Sequence, residues 1–178
     1  VMVAKSGQGK TVMNVADVIT MTALELYDTE KGKFVKNPCR VGDCIFINTE
    51  MDIRDELDLM FTACIANVER RHIKRGQYED GEEERVKEAI RILREEANIY
   101  LEYIPDYDIT TLESIIEEYV TLHGVSHVFF DYVHTTTELI SEFQNAARAK
   151  MQVREDQVLA NLSLKLKELT RKYNISID

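Results

Sequence analysis

Near the start of the chain a β-branched run meets a small-residue loop and then a long apolar helix pattern, VMVAKSGQGKTVMNVADVI. A strand, a glycine loop and a helix in direct succession bring backbone N–H groups to the positive end of the helix. That arrangement cradles phosphate. The loop AKSGQGKT keeps the G-x-x-x-x-G-K-S/T spacing of a P-loop, with Ala4 at the first glycine position. That position has only to fit a turn, where a methyl group is tolerated, whereas Gly7 and Gly9 supply the backbone freedom that a tight anion nest needs. The expected nucleotide-binding residues are Ser6, Gly7, Gln8, Gly9, Lys10 and Thr11. Lys10 would reach the β- and γ-phosphates and the Thr11 hydroxyl would bind Mg²⁺, which makes ATP and Mg²⁺ the expected ligands.

The rest of the chain alternates strands and helices. The spacing predicts a helix from Thr11 to about Tyr27 and a polar loop, or a hairpin, from Asp28 to Gly42. A buried strand CIFINTE follows, then a helix capped by Asp52 with Ile53, Leu57, Met60, Phe61, Cys64, Ile65 and Val68 inward. The charged segment ERRHIKRGQYEDGEEER reads as a solvated helix end and turn. Val86, Ala89, Ile90, Leu93 and Ala97 mark another helix, and IYLEYI a strand. Thr110 and Glu113 form a capping box for a helix closed by Gly124, and HVFFDY is the next strand. Residues 135–153 show no clean period; Val158, Leu159, Leu162, Leu166, Leu169 and Tyr173 form a last helix before NISID. Such alternation implies an α/β fold with a mainly parallel sheet and helices on both faces. With 178 residues and 44% hydrophobic content, residues 1–178 suit a single domain. Val1-Met2-Val3 resembles the tail of a strand and YNISID the start of one, so the chain reads as an excerpt, cut at both ends.

In parallel sheets, ligands bind beyond the carboxyl ends of the strands. Two acidic residues fall there besides the glycine loop. Asp131 directly follows the apolar HVFF, the arrangement of a Walker B carboxylate that holds Mg²⁺; a loop-capping aspartate has the same local pattern. Glu50 ends INTE, where a carboxylate can polarise the water that attacks the γ-phosphate. The alternative for Glu50 is a charge favoured at a helix N-terminus.

Net charge and cysteine usage narrow the remaining classes. The net charge of −10 argues against a surface coated for nucleic acid, although not against a local basic loop. Cys39, Cys44 and Cys64 have no paired spacing and read as reduced and structural, and the four histidines lack metal-ligand spacing. No apolar run approaches the ~18–20 residues that span a bilayer, so a cytoplasmic protein without membrane contact is expected.

Taken together, these segments resemble the replicative DNA helicases of the DnaB type, within the RecA-like P-loop ATPases. AKSGQGKT is similar to that family's P-loop, which also often has Ala first, and INTEM to its second-strand motif ending in Ser-Leu-Glu-Met. IKRGQYEDGEEERVKEAIRIL is similar to its Arg-x-Gly turn and acidic helix start, and FFDYVH to its Ile-Asp-Tyr-Leu-Gln motif. REDQVLANLSLKLKELTRKYNISI resembles the helix and strand that follow. The resemblance implies Lys10 and Thr11 as phosphate and metal ligands, Glu50 as catalytic base and Asp131 as Walker B carboxylate. It further implies an ATP-driven helicase acting on single-stranded DNA as a homo-hexamer, with a primase or a helicase loader as partner. His134 stands where the family has Gln, a departure at a possible sensor position.

Between Glu142 and Glu155 no acidic residue occurs, while Arg148, Lys150 and Arg154 are basic; these are candidate DNA contacts, with a solvated loop as the alternative. Competing functions are a RecA-like recombinase, loader or remodelling ATPase, and a nucleotide-binding regulatory protein without helicase activity. A small-molecule kinase is less favoured because no Arg-rich lid is visible.

Overall fold

The computed structural model describes residues 10–49, 54–146 and 154–178. The chain divides into two compact units, residues 1–44 with 53–100, and residues 45–52 with 101–178. The predicted opening strand, the glycine loop and the Asp52 cap lie outside the described residues.

In the first unit, helix α1 (Lys10–Thr22) packs against α2 (Arg54–Ala66), which also packs against the short α3 (Arg70–Arg75) and against α4 (Glu82–Glu95). Val15, Val18 and Ile19 of α1 meet a core that contains Leu57, Phe61 and Ile65 of α2 and Val86, Ala89 and Ile92 of α4. The helix predicted to reach Tyr27 stops at Thr22. Asn37 ends it: the buried side-chain amide donates to the carbonyls of Thr20 and Ala23 at 2.7 and 2.8 Å, satisfying groups that a helix end leaves open. The chain then turns into an antiparallel hairpin of β1 (Glu25–Asp28) and β2 (Lys33–Lys36), in register Leu26 to Val35 and Tyr27 to Phe34. Of the loop and the hairpin left open by the sequence, the structure shows the hairpin.

The charged segment before α4 is more ordered than a solvated turn. Glu82 is only 6% exposed. One of its carboxylate oxygens accepts from the Glu79 amide at 2.9 Å and lies 2.8 Å from Nδ1 of His72. These bonds hold its carboxyl below the ordinary value of 4.5, the Glu79 amide having the largest effect.

The second unit holds most of a four-stranded sheet in the order β4-β3-β5-β6: β3 (Cys44–Asn48), β4 (Ile99–Tyr103), β5 (His127–Asp131) and β6 (Ser176–Ile177). β3 is buried along its whole length, as its unbroken CIFIN run predicts for an interior strand. β5 and β6 are parallel, His127 opposite Ser176 and Val128 opposite Ile177. Between β3 and β4, Cys44 N donates to Asn98 O and Ile104 N to Asn48 O, so both chains advance in the same direction and the sheet is mainly parallel. Phe46 and Phe129 stack at 6.5 Å between ring centres.

Helices α5 (Ile109–His123), α6 (Thr137–Ala146) and α7 (Glu155–Tyr173) complete this unit, with Leu112, Ile116, Leu139, Val158, Leu162 and Leu169 buried. α5 begins before the predicted capping box. Its cap is Asp108, whose carboxylate accepts from Thr111 N at 2.7 Å, so Thr110 lies inside the first turn. Gly124, at φ 67°, ends α5 as predicted, in a left-handed conformation that glycine adopts without strain. α6 falls in the stretch without a clean period. Its start is set by the buried Thr136, whose hydroxyl accepts from Leu139 N at 3.1 Å.

Candidate functional site

In the first unit, α1 begins at Lys10 and carries Thr11 in its first turn. That turn contains no acidic residue, whereas α2, α4, α6 and α7 each place at least one carboxylate there. The first turn of α1 thus brings no carboxylate of its own against an incoming anion, as expected where the helix dipole meets phosphate. Ser6, Gly7, Gln8 and Gly9 lie outside the described residues.

In the second unit, three apolar residues of β5, Val128, Phe129 and Phe130, carry the chain through the core to Asp131, which is 5% exposed. The Asp131–Tyr132 peptide bond is cis. The end of β3 lies alongside: Thr49 N donates to Asp131 O at 3.1 Å. Glu50, the next residue and the predicted base, lies outside the described residues.

Beyond Asp131 the chain is tied down at each step. The Thr49 hydroxyl donates to Tyr132 O at 2.8 Å and lies 3.2 Å from Nδ1 of His134. Tyr107, from the segment after β4, donates its hydroxyl to His134 O at 2.7 Å and accepts from His134 N at 3.3 Å. Its ring stands edge-on to both Phe130 and His134, at 5.3 and 5.6 Å. Burial pushes the Tyr107 hydroxyl up to about 12. Thr136 donates to Tyr107 O, closing the same loop from the α6 side.

The structure therefore gathers Asp131 and His134, two of the predicted residues, with Thr49, Tyr107 and Tyr132, which the sequence reading left without a role. Thr49 was visible inside INTE as a polar residue at a strand end. Tyr107 gave no local signal, because its partner lies 27 residues ahead in the sequence. Arg154 is placed apart from this cluster, at the N-cap of α7, in an exposed ion pair with Asp156 at 2.9 Å. Arg148 and Lys150 lie outside the described residues.

A buried carboxylate at a strand end and a hydroxyl in a helix first turn are hard oxygen donors of the kind Mg²⁺ takes. Among the described residues there is no cluster of three or more His, Cys, Asp or Glu side chains fit to enclose a metal without other ligands. Cys39, Cys44 and Cys64 are free thiols, in line with their reading as reduced. No helix among the described residues is long and apolar enough to cross a membrane.

Comparison with known proteins places this arrangement. The family model for the DnaB-like helicase C terminal domain matches residues 1–177. A curated relative, the SPbeta prophage-derived uncharacterized protein YorI of Bacillus subtilis (strain 168), is 37% identical over 170 residues, covering 96% of this chain and 33% of the relative. The chain thus spans about a third of that relative's length. A solved ATPase domain superposes with a TM-score of 0.67 at 14% identity, over 97% of this chain and 52% of that one. A DnaB-like replicative helicase, solved in a study of its interactions with primase, gives the same TM-score and identity over 97% of this chain and 36% of its own. At 14% identity these two likenesses are ones of fold, that of DnaB-like RecA-fold ATPase domains.

Proposed function

Because this chain belongs to the DnaB-like helicase C-terminal domain family, we propose that it is the ATP-hydrolysing motor of a hexameric DNA helicase, which translocates on and unwinds DNA. The observation that carries the reading is Asp131, a buried carboxylate ending a core strand in a chain matched by that family from residue 1 to 177. In this reading residues 1–178 form a single RecA-like core. Ser6, Gly7, Gln8 and Gly9 wrap the phosphates, Lys10 neutralises the β- and γ-phosphates, and Thr11 and Asp131 hold Mg²⁺. When bound, the ion draws charge from the phosphate oxygens. Glu50 orients and deprotonates the attacking water, and His134 takes the sensor position. The partners are single-stranded DNA, met by Arg148, Lys150 and Arg154, five further copies of the chain, and a primase or loader. The location is cytoplasmic.

The test is ATP turnover by the full-length protein with and without single-stranded DNA, comparing wild type with Lys10→Ala and Glu50→Gln. Lys10→Ala weakens nucleotide binding, while Glu50→Gln keeps binding and stops turnover. DNA-stimulated turnover coupled to strand separation separates a helicase from a recombinase or a remodelling ATPase. Wild-type turnover by Glu50→Gln places the base elsewhere.

A further inference from the structure

The Thr49 hydroxyl has one hydrogen and two neighbours. The Tyr132 carbonyl, at 2.8 Å, can only accept, so the hydrogen points there. Nδ1 of His134, at 3.2 Å, then faces the hydroxyl lone pairs. The Tyr132 carbonyl lies 3.4 Å from the same nitrogen. With two acceptors and no donor before it, Nδ1 carries the imidazole hydrogen. Nε2 is left as the opposite edge of the ring, with no hydrogen-bond partner among the described residues.

The orientation of the ring is fixed separately. Tyr107 grips the backbone of His134 through its hydroxyl, on both the carbonyl and the amide. The Tyr107 ring meets the imidazole at an interplanar angle of 88°, and the Tyr132 ring lies 5.4 Å from it on a tilted approach. A histidine held this way at both backbone and ring is set up for one atom to act. We propose that Thr49 and Tyr107 are positioning residues that hold His134 as the Nδ1–H tautomer, offering Nε2 as a hydrogen-bond acceptor to water at the phosphates of the bound nucleotide. This rests on the nucleotide reading above. It also gives the departure from the family's Gln a chemical content: an amide both donates and accepts, whereas this imidazole, when neutral, only accepts.

The experiment uses the full-length protein labelled with [15N]histidine and read by solid-state NMR, the His134 signal being the one missing from His134→Gln. Wild type and Thr49→Ser are expected to carry the hydrogen on Nδ1. Thr49→Val, which keeps the side-chain shape without the hydroxyl, moves it to Nε2. In parallel, Thr49→Val lowers kcat for ATP about tenfold with KM unchanged, and Thr49→Ser restores it. A wild-type His134 with its hydrogen on Nε2 overturns the proposal, and so does a Thr49→Val enzyme that shifts tautomer at full kcat. Absence of ATP turnover in the wild type would sink the nucleotide reading instead. The NMR signal alone then decides whether the Thr49 clamp exists.

Discussion

Thr49 N donates to Asp131 O across 3.1 Å, joining the ends of β3 and β5 through main-chain atoms alone. The position of the Asp131 carboxylate therefore depends on the ladder and not on its own charge. Asp131→Asn is expected to leave the thermal unfolding midpoint of the full-length protein nearly unchanged while lowering Mg²⁺-dependent ATP turnover on the order of 100-fold. Turnover within about threefold of wild type would remove Asp131 from the metal site.

Arg148, Lys150 and Arg154 make a prediction in salt. Replacing all three by Ala should flatten the dependence of log affinity for single-stranded DNA on log salt by about 2, near 0.7 for each phosphate that is no longer neutralised. The exposed pair between Arg154 and Asp156 presents little obstacle, since such pairs are weak and exchange readily. An unchanged slope would show that the DNA path avoids this segment.

Tyr107 should be visible at alkaline pH. Burial raises its hydroxyl from the ordinary 10.0 to about 12, so the folded state disfavours the tyrosinate. Its contribution to stability is complete below about 10 and is lost as pH rises towards about 12. Tyr107→Phe should delete the last-titrating tyrosinate absorbance step. It should also destabilise the fold by about 1–2 kcal/mol, because the His134 amide and carbonyl lose their partner. A titration curve that keeps its late step would assign it to another tyrosine.

Glu82 gives the opposite sign. Its carboxyl is held below 4.5 in the folded state, so its contribution is present above that value and fades as pH falls through the lowered one. Glu82→Gln should flatten the acid limb of the unfolding midpoint measured against pH. An acid limb identical to that of wild type would mean that the bonds to Glu79 and His72 are not held in solution.

Leu162 is fully buried in α7, a helix that packs against α5 and α6. Leu162→Ala should cost about 2–5 kcal/mol in chemical unfolding. A loss below about 1 kcal/mol would mean that the site collapses to fill the cavity.

Elements whose signal is local were legible from the residues. CIFIN and HVFFD are unbroken apolar runs, and they are the buried strands β3 and β5. The α7 spacing from Val158 to Leu169 marks the face that is buried. Elements fixed by distant partners were not legible. The end of α1 depends on Asn37, 14 residues beyond Ala23, and no periodicity within the helix reports it. The start of α6 depends on Thr136, which also reaches back 29 residues to Tyr107. Of the site, the strand-end Asp131 could be read directly, whereas the arrangement around His134 requires three segments to meet.

Thr136 and Tyr107 carry one more consequence. The segment after β4 and the segment after β5 share three bonds: Tyr107 to the His134 carbonyl, the His134 amide to Tyr107, and Thr136 to the Tyr107 carbonyl. The same Thr136 hydroxyl sets the first turn of α6, and Glu142 within α6 accepts from the Ile109 amide at the first turn of α5. Neither segment can open without releasing the other. In native-state hydrogen exchange the amides of Ile109, His134 and Leu139 should therefore behave as one cooperative unit, losing protection together instead of fraying one loop at a time.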